Sequence, residues 1–221
     1  MIKPMSGAVQ EYLGCYFYRV SVLKMQIHGR LLSKSSMQQS TIVDQDVQQS
    51  YQMELEAWLL DWKSEMSSTV ESSQMHDPQL SSVLDAWASL HYHHATLMVD
   101  QIHQTGSYTA HQHCDKLVRA CNFLIKQQRK SPLLRLATPR PNQSILPVYL
   151  KDWTVPHLVF SAGLELLVQR GRGGGSIPEA LRTARHCVTT LALVESDASM
   201  LSTGFSEILE GLCDSAETKG D

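Results

Sequence analysis

LDAWASLHYHHATLM, residues 84–98, decides the fold class. Leu84, Trp87, His91, His94 and Met98 recur at steps of three and four, the spacing that lines one face of an α-helix. Ahead of them, Asp77-Pro78 reads as a helix start, with the Asp as cap and the Pro at the first helical position, where its missing N–H costs nothing. Gly106 ends the segment.

The same period continues in both directions. Downstream, Cys114, Leu117, Cys121, Leu124 and Ile125 carry a helix that stops before Pro132, and the Pro-rich stretch LATPRPNQSILP (136–147) reads as a link. Leu158, Leu164, Leu167 and Val168 mark a further helix, closed by GRGGGS (171–176). Ser176-Ile-Pro-Glu179 opens another, with Ile177, Leu181, Ala184, Val188 and Leu191 as its stripe, and Leu201, Phe205, Ile208 and Leu212 form the last. Upstream, Leu55, Trp58, Leu59, Trp62 and Met66 define a helix that the Ser-rich run 64–73 is expected to fray or end. Val9, Leu13, Tyr16, Val20, Leu23, Ile27 and Leu31 form a long first helix, separated from it by the polar loop SKSSMQQST (33–41). The expectation is an all-α helical array of about seven helices in a single domain. An N-terminal packing or partner helix (1–36) precedes the main helical domain (37–214), and a polar tail (215–221) follows it.

Bulk properties narrow the function classes. With 43% hydrophobic and 19% charged residues the chain is an ordinary globular one, and its net charge of −3 is not that of a nucleic-acid polyelectrolyte. No apolar run reaches the ~20 residues of a membrane helix, and the first residues lack the apolar core of a signal peptide, so no membrane association is expected. Five cysteines (Cys15, Cys114, Cys121, Cys187, Cys213), each within a helical segment, suit reduced, buried thiols. Charge is uneven: residues 116–151 hold eight Lys and Arg and no acid, whereas 194–221 hold seven acids and one Lys. The basic stretch reads as a solvated face that pairs with acidic helices, and the alternative is a patch for an acidic partner or nucleic acid.

Few residues carry readable chemistry. Gly171-Arg-Gly-Gly-Gly175 lacks both the preceding strand and the Lys-Ser or Lys-Thr pair of a phosphate loop, so it reads as a linker. Cys114 and Cys121 have C-x6-C spacing without the C-x2-C pairs that would make a zinc cluster. His91 and His94 share a helix face, but no HExxH and no acidic partner at i+3 or i+4 accompanies them. They fall on the apolar stripe, where a hydrogen-bonded core histidine is the commoner outcome, and no metal or other cofactor is expected. If the chain is an enzyme, His91 and His94 are its candidate catalytic groups, and no complete catalytic motif is present. Trp58, Trp62, Trp87, His91 and His94 are the candidate lining of a ligand pocket between helices.

Several of these segments, taken in order, resemble the middle homology region of fungal zinc-cluster transcription factors. Leu90-His-Tyr-His-His-Ala-Thr-Leu-Met98 resembles the Leu-x-Tyr-His helix of that family, and Leu55-Glu-Ala-Trp58 with Trp62 resembles its tryptophan-bearing helix. Cys114 to Ile125 is similar to its Cys-led helix, Phe160-Ser-Ala-Gly-Leu-Glu-Leu-Leu167 to its Phe-x-Ala-Gly helix, and Ala180-Leu181 through Leu193 to the helix that follows. The resemblance spans residues 50–212. Two departures stand out: the Tyr-His helix ends in Val99-Asp-Gln-Ile-His103 where the family has Leu-His-Arg-Pro, and the six-cysteine DNA-binding cluster is not in the sequence. The resemblance implies a regulatory domain that modulates transcription of a metabolic pathway, secondary metabolism included, in the nucleus. It further implies a small-molecule effector and partners in the transcription machinery or a second copy of the chain, with no direct DNA contact. The alternative is a cytoplasmic enzyme or binder acting on an apolar metabolite.

Overall fold

The computed structural model describes residues 7–35, 41–72, 78–103, 108–130, 154–171, 177–195 and 204–218. They form seven helices, with no strand among the described residues: α1 (Gly7–Ser35), α2 (Thr41–Ser72), α3 (Pro78–His103), α4 (Tyr108–Lys130), α5 (Thr154–Gly171), α6 (Ile177–Glu195) and α7 (Phe205–Thr218). The chain is an all-α, single-domain helical array, as the apolar periodicity implies. No helix among the described residues is long and apolar enough to cross a membrane.

α3 and α4 pack on each other at the centre. α1 and α2 cover α3 on one side, while α5, α6 and α7 close the other, touching α4 through α5 and α6. One contiguous apolar core threads all seven helices, from Tyr16 on α1 to Leu209 on α7. α1 contributes to it through Tyr16, Val20, Leu23 and Ile27, one face at steps of three and four; the side chains of Val9 and Leu13 lie outside the described residues. α3 begins at Pro78, and α4 ends at Lys130, ahead of Pro132.

α2 runs through most of the Ser-rich stretch and ends within it, at Ser72, with Leu55, Trp58, Trp62 and Met66 buried at helical spacing. The structure corrects three readings. α2 begins at Thr41, well before its apolar stripe, and α1 runs to Ser35, so both ends of the expected polar loop are helical; residues 36–40 lie outside the described residues. The inward faces of α5 and α7 are rotated from the expected stripes. Leu164 and Val168 are exposed while Leu158, Val159, Ala162 and Leu166 are buried, and Ile208 and Leu212 are exposed while Leu209 and Cys213 are buried. Cys15 is exposed, unlike the other four thiols. The Pro-rich link, the Gly run after Gly171 and Leu201 lie outside the described residues, and residues 215–218 of the expected tail belong to α7.

α5, α6 and α7 meet closely. A Cβ placed on Gly163 would lie 2.6 Å from Leu209 Cδ2 and 3.1 Å from Cys187 Cβ, so glycine is what allows the approach. Gly204, at φ 68°, turns the chain into α7, whose first free amides then find a partner in Glu195 at the end of α6. The Phe205 N–H donates to Glu195 Oε1 at 2.8 Å, and the Ser206 hydroxyl donates to Oε2. Asp214 and Glu217 of α7 pair with Arg185 of α6, both at 2.9 Å, while Arg119 of α4 pairs with Asp115 one turn back.

Candidate functional site

α2 and α3 run antiparallel, and their interface changes character along its length. At one end Trp58, Trp62 and Trp87 meet. Trp58 and Trp62 are 2% and 1% exposed, stacked with ring centroids 6.2 Å apart, and Trp87 lies 6.3 Å from Trp62. α1 seals them: Phe17 stands edge-on to Trp87 at 3.8 Å and Tyr16 edge-on to Trp62 at 5.5 Å. Both indole N–H groups are engaged, Trp58 with the Tyr16 carbonyl at 3.3 Å and Trp62 with Asp85 Oδ1 at 3.4 Å. His91 packs on Trp87, centroids 3.9 Å apart, and accepts at Nδ1 from the Lys24 ammonium at 2.7 Å. Burial and then Lys24 hold both His91 and His94 well below the ordinary imidazole range, so both are neutral; His94 Nδ1 is buried without a hydrogen-bond partner. The structure therefore gathers Trp58, Trp62, Trp87 and His91, whose faces are occupied by one another as core packing, while His94 lies one turn further along α3, near His157 of α5.

At the other end the same helix pair opens into a polar cleft of about 540 Å³. Gln45, Gln48, Gln49, Gln52, Met53 and Glu56 of α2 form one wall, Thr96 and Asp100 of α3 the floor, and His113 of α4 the far side. Volume and composition suit a small polar ligand. Tyr92, Thr96 and Asp100 fall on one line of α3 at intervals of four, and the Thr96 hydroxyl donates to the Tyr92 carbonyl at 3.0 Å.

Asp100 is the unusual group. It is only 8% exposed, and its Oδ2 is buried without a hydrogen-bond partner. Burial foremost, then the nearby negative charge of Glu165, raises its affinity for the proton to a pKa of about 6, against a hydrogen bond from the Gln48 side chain that pulls the other way. Glu165, buried on α5, accepts from Gln101 Nε2 at 2.7 Å. Beside the cleft, His93 and His113 face each other Nδ1 to Nδ1 at 2.9 Å, one ring donating and the other accepting. Burial, His113 and Lys116 press His93 down to about 3, and burial with Lys116 lowers His113, so the pair is uncharged at neutral pH. Among the described residues no group of three or more His, Cys, Asp or Glu is placed to hold a metal ion.

A second buried cluster lies between α4 and α6, where Cys114 Sγ and Cys187 Sγ are 3.8 Å apart. Burial pushes the Cys121 thiol up to about 12, and the hydrogen bond with Cys114, then burial, raises Cys187 well above its ordinary value, so Cys121 and Cys187 stay protonated and are poor nucleophiles.

No known protein family, no curated protein and no solved structure matches this chain.

The cleft residues were not singled out in the sequence. Gln48, Gln52, Thr96 and Asp100 belong to no catalytic motif, and α2 before Leu55 has no apolar stripe to mark it as helix. One signal was present: an Asp at the i+4 position after Thr96 and i+8 after Tyr92, on a helix otherwise apolar on that side.

Proposed function

We propose that this chain is a regulatory helical domain of the fungal transcription-factor type, modulating expression of a metabolic pathway, secondary metabolism included, through a small-molecule effector held in the α2–α3 cleft. It acts in the nucleus, through partners of the transcription machinery or a second copy of itself, without a DNA contact of its own. The observation that carries the effector reading is Asp100: a carboxylate buried at the floor of a cleft with one oxygen unpartnered is a stability cost that a ligand would relieve. Supporting the regulatory reading, the Leu90–Met98 segment that resembles the family's Tyr-His helix lies in α3, the helix at the centre of the array, and supplies Thr96 to that floor. The alternative, an enzyme or binder for an apolar metabolite, has its candidate residues packed ring against ring at the opposite end of the same interface.

The test is to tether the chain to an unrelated DNA-binding domain above a reporter gene. A change in reporter output, altered again by Asp100→Asn, is the expected result. A folded, nuclear fusion that leaves the reporter at the level of the DNA-binding domain alone overturns the reading.

A further inference from the structure

The antiparallel register of α2 and α3 fixes how charge is laid out along the cleft. Gln48 of α2 bonds to Asp100, and one turn further on Gln52 bonds to Tyr92. Burial raises the pKa of the Tyr92 hydroxyl, and the charge of Glu56, another turn along α2, raises it further, while the Gln52 side-chain amide donates to Glu56 Oε1 at 2.9 Å. Tyr92 and Asp100 are separated by two turns and more of α3, about 12 Å at the usual helical rise. The cleft is therefore a trough with a carboxylate at each end, Asp100 buried at one and Glu56 exposed at the other. Amide side chains and the Thr96 hydroxyl lie between them, acceptors for any N–H placed along the trough.

The electrostatics favour a cation. Asp100 has an oxygen with no donor, and Glu165 adds a second negative charge behind it. His93 and His113, which pack beside Tyr92 toward the Glu56 end, are neutral and so do not oppose a positive ligand, while Lys116 beside them does. A ligand matching this trough carries positive charge at two separated points and hydrogen-bond donors between them.

We propose that the cleft binds a linear polyamine, one terminal ammonium seated on Asp100 and the other on Glu56, with its inner nitrogen donating to the glutamine amides. This rests on the reading of the cleft as the effector site and assigns the chemical class of that effector.

The experiment is calorimetric titration and thermal melting of the full chain with spermidine. Putrescine, too short to span the trough, and octanediol, long but uncharged, are the controls. Spermidine is expected to bind at one site and raise the melting temperature, putrescine to bind more weakly, and octanediol not at all. Asp100→Asn and Glu56→Gln are each expected to weaken spermidine by at least about tenfold. Glu56 is exposed, so its variant tests the trough even if the core substitution perturbs folding. No binding of spermidine to the folded chain overturns the proposal, and so does binding that both variants leave unchanged, which would be attraction to the acidic surface at large. If the amine binds but the tethered reporter ignores both variants, the ligand class stands and the regulatory reading falls. If the reporter responds to the variants and no amine binds, the ligand class falls alone.

Discussion

The two ends of the α2–α3 interface are built from the same pair of helices and behave as different materials. Around Trp58, Trp62 and Trp87 the interface is dry, each ring face lies on another, and each indole N–H that the packing removes from water has a partner. Around Gln48, Thr96 and Asp100 it is open, lined by amides, and leaves a buried carboxylate oxygen unmatched. Stability is concentrated at the first end and the capacity to bind at the second. The largest predicted effect follows. Trp62→Ala removes the ring that links Trp58, Trp87 and Tyr16, and should lower the unfolding free energy by about 3–5 kcal/mol in urea denaturation. A loss near 1 kcal/mol would mean that the aromatic end is not the keystone of the core.

Acid should distinguish the ends next, because both hold suppressed histidines. His91 and His94 toward the aromatic end, and His93 and His113 beside the cleft, all have proton affinities below the ordinary imidazole value of 6.5, with burial the first cause in each. The unfolded chain takes up protons below pH 6.5 that the folded chain refuses. The stability these groups contribute is therefore complete above that pH and is lost as pH falls toward their folded values. Between pH 6.5 and 5 the loss should appear as a falling urea midpoint. A flat profile would show that the imidazoles reach water.

Asp100 runs the other way. Its folded pKa, raised from 3.8 to about 6, means that the folded state favours the protonated acid. The stability it contributes is present below about pH 4 and lost as pH rises through about 6, so the ionised carboxylate opposes folding at neutral pH. Asp100→Asn should therefore raise stability at pH 7 by about 1–2 kcal/mol and change little at pH 4. A destabilised variant at pH 7 would indicate a cation or donor already satisfying Oδ2 in the unliganded protein.

The aromatic end was legible in the sequence and the cleft was not, for a physical reason. Burial of large apolar side chains imposes a period that a sequence displays, so Leu55, Trp58, Trp62 and Met66, like Leu84 and Trp87, announce both their helices and their faces. A polar trough has no such period. Thr41–Met53 of α2 is mostly Gln, Asp and Ser, helical here because it continues a helix anchored further on, and it carries no stripe that marks it as helix. The stripes of α5 and α7 were misplaced by a residue because apolar side chains stand on two adjacent faces: Leu164 and Ile208 are as hydrophobic as Leu166 and Leu209, and only packing chooses between them. Asp100 and Gln101 lie near the end of α3, where the helix becomes polar and the Asp100, Gln101 and Glu165 contacts are made.

The smallest effect is the one that most sharpens the contrast. Gln52 lines the cleft wall, donating to Glu56, a neighbour on its own helix, at 2.9 Å and also bonding to Tyr92. An i,i+4 side-chain pair of this kind contributes about 0.2–0.5 kcal/mol, and Ala restores part of that through better helix propensity. Gln52→Ala should therefore change the unfolding free energy by less than about 0.5 kcal/mol. The same substitution removes an amide from the centre of the trough, so its effect on spermidine binding should exceed its effect on stability. A stability loss comparable to that of a core residue would mean that the wall is held by packing, as the aromatic end is, and the division of the interface into a folding half and a binding half would fail.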